Sequence, residues 1–161
     1  MDLNIFTDGS YIKKKNKIYC GFGVHFPEKQ YIDLYGSYTD KPTNNRAELY
    51  AIKKALEITE IIQQYNQIKT VTILSDSMYS INSLTKWIHS WEKNQWKTTT
   101  NKPVKNKDLL VVIKKSIDHF KGLLNFTYVE SSHKPSTDYF KQGNYIADQL
   151  AKSGASLSKF K

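Results

Sequence analysis

At 161 residues the chain has the length of a single domain with a full core. No apolar run is long enough to cross a bilayer, and the N-terminus lacks the apolar segment of a signal peptide, so neither a spanning nor a conventionally secreted protein is expected. The formal charge of +9 directs attention to polyanionic partners, although lysines also serve solubility, so the location of the charge has to decide. The single cysteine, Cys20, cannot form an internal disulfide and suits an intracellular setting, cytoplasmic or nuclear.

The first element is an apolar strand, Leu3-Asn4-Ile5-Phe6-Thr7, running into Asp8-Gly9-Ser10. Gly9 is expected to stop it, which leaves Asp8 at a strand exit as either a turn former or one wall of a site. A basic turn, Lys13-Lys14-Lys15-Asn16-Lys17, leads to strand-like runs at 18–26 and 31–37, together an antiparallel meander. Gly21 and Gly23 inside the second run indicate a bulge or a close backbone approach, and Cys20 beside them reads as an inert strand thiol.

Thr43, Asn44 and Asn45 are capping candidates for a helix running to about Tyr65. Its apolar stripe is Ala51, Ile52, Ala55, Ile58 and Ile62, and Glu48 lies one turn earlier on the same inward face. A carboxylate on an apolar stripe is costly unless a cation or metal accompanies it. A fourth strand, 70–75, ends at Asp76, after which Ser77 to Asn82 begins another helix. Two strand exits placed side by side would bring Asp8 and Asp76 together.

The stretch from Trp87 to Thr98 holds all three tryptophans, Trp87, Trp91 and Trp96, interleaved with lysines and amides. Trp87 is expected to serve partly in helix packing, while the cluster as a whole suits a surface that stacks on bases or sugars and holds phosphates. A helix is expected from about Lys107 to Phe120 and a fifth strand over 124–130, followed by a long polar loop over 131–143. The last helix should start near Asn144 and carry Asp148, with a flexible tail over 153–161. Four acids, Asp8, Glu48, Asp76 and Asp148, thus fall at junctions or on inward faces. An oxygen-only set of this kind is preferred by hard divalent cations, Mg²⁺ above others, and no Cys/His cluster competes for zinc.

Taken in order, Thr7-Asp8-Gly9-Ser10, Thr43-Asn44-Asn45-Arg46-Ala47-Glu48-Leu49, Ser75-Asp76-Ser77-Met78-Tyr79-Ser80-Ile81-Asn82, Trp87 to Lys107, and Asn144-Tyr145-Ile146-Ala147-Asp148-Gln149-Leu150-Ala151 resemble ribonuclease H of type 1 from the first strand to the last helix. The resemblance implies an α/β, ribonuclease H-like fold: a five-stranded mixed sheet, three antiparallel strands then two parallel, flanked by α-helices. It implies hydrolysis of the RNA strand of an RNA–DNA hybrid, leaving a 5′-phosphate and a 3′-hydroxyl. The metal ligands would be Asp8, Glu48, Asp76 and Asp148 around two Mg²⁺ (Mn²⁺ as substitute), with Asp8 bridging. Gly9, Ser10, Asn44 and Asn45 match contacts to the RNA strand, the asparagine amides testing the 2′-hydroxyl.

Thr43 and Asn106 match positions holding a DNA phosphate, and Tyr79, Trp87 and Trp91 match positions lining the DNA channel. Residues 91–106 resemble the basic protrusion of some members, with Lys93, Lys97, Lys102 and Lys105 supplying salt-dependent affinity. His133 matches a loop histidine that aids proton transfer or product release, although its spacing to Asp148 is longer than in common forms. No hybrid-binding module of the kind that precedes the catalytic domain in many eukaryotic members is expected, and a monomer is expected. The rival readings are a catalytically silent nucleic-acid-binding domain of the same fold and a nuclease domain of the reverse-transcriptase or resolvase kind.

Overall fold

Five strands form one sheet in the computed structural model, which describes residues 1–158: β1 (Asp2–Lys14), β2 (Lys17–His25), β3 (Leu34–Ser37), β4 (Thr70–Ser75) and β5 (Leu124–Tyr128). Their order is β3-β2-β1-β4-β5, antiparallel on the β3-β2-β1 side and parallel across β1-β4-β5, as expected. Lys15 and Asn16, both at positive φ, form the two-residue turn between β1 and β2.

Gly9 does not end the first strand. β1 continues to Lys14, with Asp8 opposite Gly23 and Gly9 opposite Phe22. What ends is its parallel neighbour: β4 pairs with β1 only as far as Thr7↔Ser75. Asp8 therefore lies where the parallel half of the sheet gives out, with Asp76 just beyond the last residue of the adjacent strand. The turn-former reading fails, because Asp8 and Gly9 both sit in a ladder.

One face of the sheet is covered by α1 (Asn44–Gln63) and α4 (Lys107–His119), which bury Leu3, Ile5, Val71 and Ile73 against Leu49, Ile52, Leu56, Leu110 and Ile113. The other face carries α5 (Tyr139–Leu157), where Phe6, Leu74, Val129 and Ala147 pack together. A Cβ on Gly23 would stand 2.5 Å from the Ala147 carbonyl oxygen, so the β2 glycines admit α5 at close range rather than forming a bulge. Between β4 and α4 the chain forms α2 (Met78–Asn82), a π turn over Ser83–Trp87 and α3 (Ile88–Lys93).

Several expected boundaries move for local reasons. β3 begins at Leu34 rather than Tyr31, because Asp33 folds back to accept the Phe26 N–H at 2.9 Å and faces His25 Nδ1 at 2.9 Å. β5 ends at Tyr128, although the Val129 N–H still donates to the Ser75 carbonyl at 2.9 Å. α5 starts at Tyr139 rather than near Asn144, because Asp138 caps it by accepting the Lys141 N–H at 3.0 Å. The expected tail is helical through Leu157, with Gly154 and Ala155 buried; residues 159–161 of that tail lie outside the described residues. Cys20 is buried and burial pushes its thiol up to about 11, the state of an inert cysteine. No helix among the described residues is long and apolar enough to cross a membrane.

Candidate active site

β1 and β4, side by side and parallel, deliver Asp8 and Asp76 to the same end of the sheet. Glu48 reaches them from the second turn of α1, which crosses β1 so closely that a Cβ on Gly9 would lie 2.6 Å from the Glu48 nitrogen. One carboxylate oxygen each from Asp8, Glu48 and Asp76 falls within 4.8 Å of the others. The Gly9 N–H donates to Asp8 Oδ1 at 2.9 Å and to Glu48 Oε1, so one backbone group orients two of the three acids. Ser131 Oγ donates to Asp76 Oδ2 at 2.9 Å from the loop after β5.

The electrostatics of the trio are unfavourable as it stands. Burial raises the Asp8 carboxyl from 3.8 to about 8, with the charges of Asp76 and Asp148 pushing the same way against the stabilising contact with Glu48. Burial, followed by the charge of Asp8, holds Glu48 well above its ordinary value. Two buried acids that resist ionisation next to a third are a set whose charge a bound cation would balance. The donors are all carboxylate oxygens, with no sulfur or imidazole among the three, so the set fits a hard divalent ion.

Asp148, on α5 and buried, stands outside that compact trio. Lys152, one turn further along α5, places Nζ 3.0 Å from Asp148 Oδ2 as an ion pair without the alignment of a hydrogen bond. His133 is exposed, with Nδ1 3.8 Å from the same oxygen. α5 starts early, which shortens the loop before it, and His133 lies beside Asp148 despite the long sequence gap.

Ser10 is buried beside Gly9 on β1. Thr43 is the cap of α1, accepting the Arg46 N–H at 3.0 Å, which releases Asn44 and Asn45 from capping; both are exposed. Asn106, in the left-handed region with φ 65°, opens α4 and donates from Nδ2 to the Tyr79 hydroxyl at 2.9 Å. Trp87, Trp91 and Trp96 form an aromatic run continued by Tyr79, with centroids 5.9–6.5 Å apart. Trp91 and Trp96 pack against the core, whereas Trp87 is 42% exposed and packs on Tyr79 and Trp91. The basic protrusion is a short hairpin closed by Lys97↔Pro103, with the Val104 N–H bonded to the Trp96 carbonyl. Lys93, Lys97, Lys102 and Lys105 are all exposed around it, and Trp87, Trp91, Asn94, Lys97, Thr98 and Thr99 line an adjoining cleft of about 490 Å³.

Arg46 has no role in the sequence reading, yet it ties this surface together. Its buried guanidinium grips Asp108 with two bonds at 2.9 and 2.8 Å, reaches Asp40 at 3.2 Å and donates to Asn106 Oδ1 at 3.4 Å. Its partner Asp108 lies 62 residues away, so no local pattern announces the pair. Lys152 could have been found from its i,i+4 spacing to Asp148.

The RNase H family model matches residues 1–156. The ribonuclease H of Haemophilus influenzae is 37% identical over 158 residues, covering 95% of this chain and 89% of that protein. The ribonuclease HI of Pasteurella multocida is 38% identical over 156 residues with the same coverage. The ribonuclease H of Schizosaccharomyces pombe is 40% identical over 158 residues, 94% of this chain and 52% of that protein. Among solved structures, the foamy viral protease-reverse transcriptase in complex with dsDNA aligns with a TM-score of 0.77 at 25% identity, covering 96% of this chain and 94% of that one. LC11-RNase H1 in complex with RNA/DNA hybrid shares the fold at 16% identity, with a TM-score of 0.66 and coverage of 98% and 99%. With sheet, acids and relatives in agreement, the chain belongs to the RNase H family, the ribonucleases H.

Proposed function

We propose that this chain cuts the RNA strand of RNA–DNA hybrids endonucleolytically, leaving a 5′-phosphate and a 3′-hydroxyl. The observation that carries this reading is the approach of Asp8, Glu48 and Asp76 to within 4.8 Å at the exit of the parallel strands. Asp8, Glu48, Asp76 and Asp148 would hold two Mg²⁺, which supply activation of the attacking water and charge stabilisation at the departing 3′ oxygen. The chain's own residues supply the rest. Gly9 and Ser131 fix the orientations of three carboxylates. The exposed His133 imidazole beside Asp148 is placed to accept or return a proton at the edge of the site.

Substrate choice rests on the surface around these acids. Asn44 and Asn45 present exposed amides that donate and accept, as a test of the ribose 2′-hydroxyl requires. Thr43, Asn106, Tyr79, Trp87 and Trp91 would face the DNA strand, and the hairpin lysines its phosphates. The foamy viral structural neighbour favours a second reading, a nuclease domain of the reverse-transcriptase kind. The relatives named ribonuclease H at 37–40% identity favour the first.

Labelled RNA–DNA hybrid, duplex RNA and duplex DNA are offered side by side with Mg²⁺. Cutting confined to the RNA of the hybrid, with 5′-phosphate ends, is expected. No cutting by pure protein, or equal cutting of duplex DNA, would overturn the reading.

A further inference from the structure

Asn144 sits on α5 one turn ahead of Asp148, on the same face and 1% exposed. Its Oδ1 accepts the backbone N–H of buried Ser132 at 2.7 Å. The two neighbours of Ser132 are the loop residues that reach the acids: Ser131 Oγ donates to Asp76 Oδ2 at 2.9 Å, and His133 Nδ1 lies 3.8 Å from Asp148 Oδ2. Asn144 Nδ2 is buried with no partner among the described residues. A buried amide with idle donors is disfavoured, and an apolar side chain would suit that stretch of helix better. An asparagine there calls for a role beyond packing, and its bond to Ser132 supplies one.

We propose that Asn144 is a positioning residue that clips the loop after β5 to α5, holding Ser131 over Asp76 and His133 over Asp148. The inference rests on the roles given to those acids and to His133 under Proposed function. His133 is 74% exposed at its side chain and makes no other ion pair or hydrogen bond among the described residues, so its ring goes where its backbone is held. The next clip, Gln142 Oε1 accepting the Ser136 N–H at 2.8 Å, acts three residues beyond His133 and cannot fix the 131–133 segment by itself.

The test is a double-mutant cycle on hybrid cleavage, with wild type, His133→Ala, Asn144→Ala and the double variant, joined to amide hydrogen exchange at Ser132. Asn144→Ala should lower kcat by about 10- to 100-fold with KM for the hybrid unchanged, the range for a group that orients a functional one. The double variant should be no slower than Asn144→Ala alone, because an unclipped histidine has nothing left to lose. Exchange at the Ser132 amide should accelerate at least about tenfold as its bond is lost.

Rate losses that multiply, a fast Asn144→Ala, a fast His133→Ala beside a slow Asn144→Ala, or unchanged Ser132 exchange would each overturn the proposal. Should Asn144→Ala fail to fold, Ser132→Pro removes the donor from the other end of the same bond and takes its place in the cycle. A wild-type protein that never cuts hybrid overturns the proposed function instead, and the exchange measurement still decides the clip.

Discussion

Gly9 of β1 and Glu48 of α1 meet backbone to backbone: a Cβ on Gly9 would stand 2.6 Å from the Glu48 nitrogen, and the Gly9 N–H donates to the Glu48 carboxylate. The close crossing is what turns a residue on an apolar helix face into a ligand candidate at the end of the sheet. Gly9→Ala must push α1 off β1, since the neighbouring atoms are the Ala47 and Glu48 backbone and the Ala47 Cβ, none of which can swing aside. Overpacking of this kind costs about 1–3 kcal/mol, which is about 2–12 °C in Tm for a chain of this size. Divalent-ion affinity should fall with it as Glu48 retreats. Thermal unfolding and metal titration check both, and an alanine variant with wild-type Tm and affinity would refute the constraint.

The pH dependence of the metal-free protein follows from Asp8. Its folded value, about 8, lies above the ordinary 3.8, chiefly through burial. Between those two values the folded state holds a proton that the unfolded chain has released. Its contribution to stability therefore declines as pH rises from about 4 to about 8, and Glu48 acts in the same direction. Asp8→Asn removes the liability, so without metal the variant should be more stable than wild type at pH 8 and the gap should narrow toward pH 4. Cleavage should drop at least about 100-fold, the upper end of what losing even a supporting group costs a metal site. Mg²⁺ should raise the wild-type Tm more at pH 8 than at pH 5. A wild-type protein that gains on Asp8→Asn with rising pH would contradict the assignment.

How much of this was legible in the sequence differs residue by residue. Glu48 on an apolar helical stripe and Asp76 at a strand exit are local signals, and both ended in the site. Gly9 is misleading in the sequence because a glycine after an acid reads as a stop, whereas its freedom serves the crossing of α1 over a strand that continues to Lys14. The start of α5 is hidden in the sequence because Asp138, its cap, looks like any polar loop residue until the helix behind it is seen. Arg46 is hard to read from the sequence because its main partner, Asp108, lies 62 residues away and leaves no periodicity, while the Asp40 contact six residues earlier fits no helical or strand spacing.

Arg46 is testable through that network. Arg46→Ala should destabilise by roughly 2–3 kcal/mol, for lost charge-assisted bonds and lost packing of a buried side chain, tempered because both acids are largely exposed. The Asp108 carboxyl is held down at about 2, first by its bonds to Arg46, against an ordinary 3.8. A depressed folded value gives stability that is complete above 3.8 and lost as pH falls through about 2, so wild type and Arg46→Ala should converge in stability toward pH 2. Hybrid affinity should weaken as well, because Asn106 loses one of its two anchors. A stability gap that persists unchanged to pH 2 would exclude the Asp108 pair as its source.

The tryptophans divide by burial, and the division separates stability from binding. Trp91 packs on the core, so Trp91→Ala should cost roughly 2–4 kcal/mol, below the full range for a completely buried indole. Trp87 is 42% exposed at the head of the aromatic run, so Trp87→Ala should change stability by less than about 1 kcal/mol while weakening hybrid binding by about 1–3 kcal/mol, the value of one stacked partner. The lysines act by a different route. Replacing Lys93, Lys97, Lys102 and Lys105 by Gln removes charge from exposed positions and should flatten the slope of log affinity against log salt by about 0.9 for each phosphate no longer neutralised. Binding that weakens equally at all salt concentrations would mean that these lysines shape the hairpin and do not hold phosphates. An unchanged slope together with a large Trp87→Ala effect would place the contact on the aromatic run alone.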